Sequence, residues 1–120
     1  MALLIKDGEV MPEPNDQLAN VVFTDEFHLD PMNDEFERSF LQRSLLIIEI
    51  ENFNDGRVFT FLRLLRTRYQ YQGELRIKGE YLIDQMAMLM ACGADSFLLP
   101  EGSDYEHALF ILSNTPENTF

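Results

Sequence analysis

Between residues 44 and 112 the chain alternates, with regular punctuation, between short β-branched apolar runs and amphipathic helical stretches. SLLIIEIE (44–51) reads as a strand and NFND as a turn. Gly56–Tyr69 reads as a helix, with Val58, Phe61, Leu62, Leu65 and Tyr69 within about a third of the helical wheel. Arg63, Arg66 and Thr67 fall roughly opposite that stripe. GELRIK (73–78) is a second strand. Tyr81–Cys92 is a second helix with Leu82, Ile83, Met86, Leu89 and Met90 as its core face, and Gly93 supplies its C′ glycine. SFLL (96–99) is a third strand, stopped by Pro100 and Gly102, and Ser103 or Asp104 caps a last helix to about Leu112. Strands separated by helices of this length imply parallel pairing through right-handed crossovers.

The first third is less regular. ALLIKDGEV (2–10) reads as a hairpin turning at Asp7-Gly8, the pair a type I′ turn favours. A loop follows with one short strand at Asn20–Thr24. A short helix, capped by Asn33 or Asp34, carries Phe36, Phe40 and Leu41 to about Arg43. At 120 residues the chain is one domain: hairpin, loop and helix over 1–43, a β-α-β-α-β-α unit over 44–112, and a frayed tail over 113–120. The expected fold is α/β, with a short, mainly parallel sheet that is half-barrel-like or open.

Charge is unevenly spread. The formal net charge is −12, and six of the nine Lys and Arg lie in residues 53–80. Residues 1–42 hold ten acids against two bases, and residues 81–120 hold six acids and no base. Such a field repels nucleic acid and anionic membranes, so neither is an expected partner. No apolar run approaches the roughly 18 residues of a membrane span. The first ten residues lack the cationic n-region of a signal peptide, and the single cysteine fits a reducing compartment. The expected location is cytoplasmic.

Side chains alternate along strands. Glu49 and Glu51 therefore share one sheet face, with Leu46, Ile48 and Ile50 on the other. Glu74, Arg76 and Lys78 share a face opposite Leu75 and Ile77. If the two strands are neighbours, Glu49 and Glu51 lie beside Arg76 and Lys78. One reading of this charged face (Glu49, Glu51, Glu74, Arg76, Lys78) is a solvated or self-paired surface, since cross-strand charge pairs are common. The other is a floor that meets a ligand or a second subunit. Ligands of open α/β sheets sit beyond the carboxyl ends of the strands. There Asp55, Gly56, Arg57, Arg76, Lys78 and Gly79 form a candidate site for a small oxyanion, with Asp55 as helix cap.

Other residues carry less. Cys92 falls at a helix C-terminus, where the dipole disfavours a thiolate, and reads as packing. His28 and His107 lack metal-ligand spacing with each other or with Cys92, so no metal site is expected. Met88 and Ala91 point away from the core face, next to Asp84, and these three form a candidate interface. No flavin, nicotinamide, haem or iron–sulfur motif is present, so no cofactor is expected and no catalytic residue can be named.

The stretches NDGRVFT, LRLLRTRY and GELRIKGEYLIDQMAMLMACGADSF, in that order, resemble the bacterial family called domain of unknown function 934. The opening MALLIKDGEV is also similar. The resemblance covers residues 53–99 well. It falls on Asp55, Gly56, Arg57, Leu64, Leu65, Arg66, then Gly73, Glu74, Leu75, Arg76, Gly79, then Asp84, Gln85, Cys92, Gly93, Asp95 and Phe97. The chain departs at Val58, Thr60, Phe61, Glu80 and Ala94, and loss of the family's glycine at position 58 closes the loop after Arg57 somewhat. What the resemblance implies is association with assimilatory sulfite reduction, in a family often labelled probable oxidoreductase. The residues favour an accessory protein that meets a partner of that pathway or a second copy of itself. The alternative is an enzyme or enzyme fragment binding a small oxyanion through Arg57, Arg76 and Lys78.

Overall fold

The computed structural model describes residues 3–13, 20–23, 44–52 and 56–114. Asp7 and Gly8, with φ of 54° and 78°, make a tight turn with left-handed residues at both centres. It joins β1 (Leu3–Lys6) to β2 (Glu9–Pro12) in an antiparallel hairpin with Lys6 opposite Glu9. β3 (Asn20–Phe23) follows, and then β4 (Leu45–Ile50), α1 (Arg57–Thr67), β5 (Glu74–Gly79), α2 (Met86–Cys92), β6 (Ser96–Leu99) and α3 (Tyr105–Ser113). The helix expected before Arg43 lies outside the described residues, as does Asp55.

All six strands form one sheet in the order β2-β1-β6-β5-β4-β3. β3, β4, β5 and β6 pair in parallel, as the alternation of strand and helix requires. The expectation of a mainly parallel sheet is corrected, because the hairpin docks through β1 onto β6 in antiparallel register, Lys6 opposite Ser96 and Leu4 opposite Leu98. The sheet is mixed. The physical reason is the edge that β6 leaves: the last strand of the parallel unit has an unpaired ladder, and a preformed hairpin satisfies it without a crossover.

One sheet face carries Ile5, Leu46, Ile48, Leu75, Ile77 and Phe97, all buried in a single core cluster with Val58, Phe61, Leu62 and Leu65 of α1 and Met86 and Leu89 of α2. Leu4, Ile47 and Leu98 project from the other face and are buried outside that cluster. α2 begins later than its pattern predicts. Leu82 is extended, Gln85 Oε1 accepts its N–H at 2.9 Å, and a 3₁₀ turn over Ile83–Gln85 leads into the helix. Leu82 is consequently 48% exposed and not part of the core. Gly93 ends α2 with φ 130°, as its C′ position demands. Among the described residues no helix is long and apolar enough to cross a membrane.

Candidate functional site

The charged sheet face is built by the register of three strands. Glu49 stands opposite Lys78, and Arg76 lies between Ile47 on β4 and Ser96 on β6. Glu51 falls beyond the end of β4. Glu74 turns out to be the hub. Its Oε2 accepts from Arg76 Nη2 at 2.8 Å and Nε at 3.2 Å, and from Ser96 Oγ at 2.8 Å. Its Oε1 accepts from Lys6 Nζ. Arg76 is 4% exposed and Ser96 is fully buried.

Burial alone pushes the Glu74 carboxyl up, but hydrogen bonds from Lys6, Ser96 and Arg76 outweigh it and hold the group below the ordinary carboxylate range. Glu74 in turn raises Lys6. A carboxylate with four donors and a lowered pKa is a poor general base. Lys6 and Ser96 were not identified from the sequence as members of this cluster. The available signals were weak: Lys6 is the charge on an otherwise apolar hairpin strand, and Ser96 the lone polar residue of SFLL.

Arg66 is the second surprise. The helical wheel sets it away from the core stripe, yet its guanidinium closes the N-terminal end of the sheet. Nε and Nη2 donate to Gly93 O at 3.1 and 2.9 Å, and Nη1 donates to Tyr71 O at 2.9 Å and Gly73 O at 2.8 Å. Nη2 also meets Asp95 Oδ2, which accepts Leu75 N–H at 2.9 Å. The Tyr71 ring lies 5.7 Å from the guanidinium carbon. Burial pushes the Tyr71 phenol up to about 12, although Arg66 opposes the rise. Gly73 admits no side chain here, because a Cβ would stand 2.3 Å from Tyr71 Oη and 2.7 Å from Ser44 O.

At the carboxyl ends of the strands the predicted oxyanion residues are not drawn to one centre. Gly56 occupies the cap position of α1 and Arg57, exposed, opens that helix on the core-cluster side of the sheet. Lys78 projects from the opposite face beside Glu49, and Arg76 is turned back toward Glu74. Gly79 adopts φ 100°, with Ile50 O only 2.4 Å from where a Cβ would sit, so it is a close-approach glycine. Asp55 lies outside the described residues.

The candidate interface residues Asp84, Met88 and Ala91 are all exposed, Met88 at 58%. Asp84 Oδ1 is 3.3 Å from His107 Nε2 at the start of α3. Cys92 is buried at the end of α2, with Arg63 Nη2 4.0 Å from its sulfur. Among the described residues no group of three His, Cys, Asp or Glu is placed to hold a metal ion; His28 is outside them.

The family model for bacterial protein of unknown function (DUF934) matches residues 27–118. No curated protein and no solved structure matches the chain. The chain belongs to that family.

Proposed function

We propose that this chain is a cytoplasmic accessory protein that acts by binding another protein, and that it serves assimilatory sulfite and sulfate reduction. The observation that carries the partner-binding part is a division of labour among side chains. Of the cations on which an oxyanion-binding enzyme would draw, Arg76 is turned into the fold with Glu74, Lys6 and Ser96, while Arg57 and Lys78 stand on opposite faces of the sheet. Large apolar side chains reach outward, Phe110 at 65%, Met88 at 58% and Leu82 at 48% exposed. Exposed aromatic and methionine side chains on packed helices are what partner surfaces are made of. The link to sulfite reduction rests on the family resemblance alone.

Sedimentation velocity of the purified chain mixed with the subunits of the sulfite reductase of its own cells, at about 0.15 M salt, tests this reading. The expected result is a faster boundary containing both proteins. A chain that sediments alone beside every subunit overturns it.

A second reading keeps the carboxyl ends of β4 and β5 as an oxyanion site, with Lys78 as its cation and an anion competing with Glu49 opposite. Calorimetry with sulfite, sulfate and phosphate decides it: heat that disappears in Lys78→Ala supports that site, and no heat removes it.

A further inference from the structure

Helix α3 carries an unbroken apolar run, Ala108–Leu112, between Glu106 and His107 before it and Ser113 after it. A large aromatic side chain left exposed in such a run, beside a cleft, marks a contact surface. Ala108 is the helix's only buried residue, and Phe110 is 65% exposed. Tyr105, Leu109 and Leu112 pack partly against the core, which accounts for the inner face and leaves the outer one.

Beside that outer face lies a cleft of about 740 Å³, between α3 and the β1–β2 turn. Ile5, Met90, Phe97, Leu109 and Phe110 give its apolar lining, and Asp7, Asp95 and Glu106 its negative charges. Among the described residues Lys6 is the one cation on the lining, and its ammonium is bound to Glu74. From Glu106 to Ser113 the cleft follows α3 for about 10 Å, two turns of a helix at about 1.5 Å per residue. The chain around it carries a net charge of −12. An acidic partner is repelled by this field and a basic one is steered into it.

We propose that the cleft between α3 and the β1–β2 turn receives a basic, amphipathic segment of a partner protein. Its apolar side chains lie on Phe110 and Met90, and its Lys or Arg residues lie beside Asp7 and Glu106. The mode is a helix laid into a groove, with an aromatic anchor and a charged rim. The proposal rests on the partner-binding reading above and names the surface and the chemistry for it.

The test is an NMR titration of the ¹⁵N-labelled full chain with a synthetic amphipathic Lys/Leu peptide, and with the Glu/Leu peptide of the same pattern as control. With the Lys/Leu peptide, the amides of Asp7, Gly8, Phe97 and Glu106–Ser113 shift, and with the Glu/Leu peptide they do not. Phe110→Ser weakens binding by about tenfold or more, the loss expected at an interface centre, and Glu106→Lys, which reverses a rim charge, by about fivefold. Glu80→Lys, an equal change of net charge at the other end of the sheet, weakens it by less than about twofold. Shifts scattered over the whole acidic surface, or equal weakening by Glu80→Lys, overturn the cleft. So does a dimer of the chain alone that blocks the peptide, which assigns the cleft to a second copy. These outcomes leave the partner-binding reading standing, since that reading falls only if the chain fails to co-sediment with any subunit.

Discussion

Arg66 and Asp95, 29 residues apart in the chain, form an ion pair that ties the end of α1 to the entry of β6. The same guanidinium reaches the carbonyls of Gly93, Tyr71 and Gly73, so one side chain satisfies backbone acceptors in two separate connections. A planar fork is needed for this, and an ammonium cannot reproduce it. Arg66→Ala is expected to cost about 2–4 kcal/mol, since buried acceptors and Asp95 are left without their donor. Arg66→Lys should recover less than half of that in urea unfolding.

Glu74 makes a sharper comparison. Glu74→Ala leaves Arg76 charged and 4% exposed, and such a loss costs about 3–5 kcal/mol. Lys6→Ala removes a partner whose side chain is 37% exposed and should cost under about 1 kcal/mol. Unfolding midpoints of the two variants measure the difference.

The lowered pKa of Glu74 also sets a pH dependence. Its folded value lies below its unfolded value of about 4.3, so its stabilisation is complete above that pH. It is lost as pH falls from there through the folded value. The gap in unfolding free energy between wild type and Glu74→Gln should therefore narrow below about pH 4.3. Lys6 acts with the opposite sign: its raised pKa makes its contribution complete below about 10.4 and lost as pH rises through the folded value.

Gly73→Ala should destabilise by about 1–3 kcal/mol, because a methyl group meets both the Tyr71 ring and the Ser44 carbonyl. Adding Tyr71→Phe should not rescue it, since the backbone oxygen at 2.7 Å remains. Thermal unfolding of the single and double variants checks this.

Cys92 should resist a thiol-specific disulfide reagent in the folded chain, being 3% exposed. Its reaction rate should rise with urea in step with unfolding. Fast modification without unfolding would show that the end of α2 opens on its own.

Much of this architecture was legible in the sequence because it is written in local patterns. Asp7-Gly8 announced a hairpin, and the runs at 44–51, 73–78 and 96–99 announced strands joined through helices. The pairing of β1 with β6 was not legible, because nothing local states which edge a hairpin will choose. Leu82 fits the helical stripe, but Gln85 bonds back to its N–H, and a 3₁₀ turn over Ile83–Gln85 delays the start of the helix from Tyr81 to Met86. Arg66 misled for a related reason: a wheel describes a helix in isolation, and the acceptors of Arg66 belong to loops beyond its end. At the charged face, alternation located Glu74 and Arg76, while Lys6 and Ser96 joined them only through the sheet order. The exposed Phe110 carried no sequence signal, since an apolar helix reads as a buried one.

The most direct measurement is growth on sulfate as sole sulfur source of cells lacking this chain and supplied with variants at equal levels. Two variants matter, Phe110→Ser on the outer face of α3 and Lys78→Ala on the charged sheet face. The account predicts that Lys78→Ala restores growth and Phe110→Ser, still folded, does not. Growth with Phe110→Ser and none with Lys78→Ala would contradict it and return the function to the charged face.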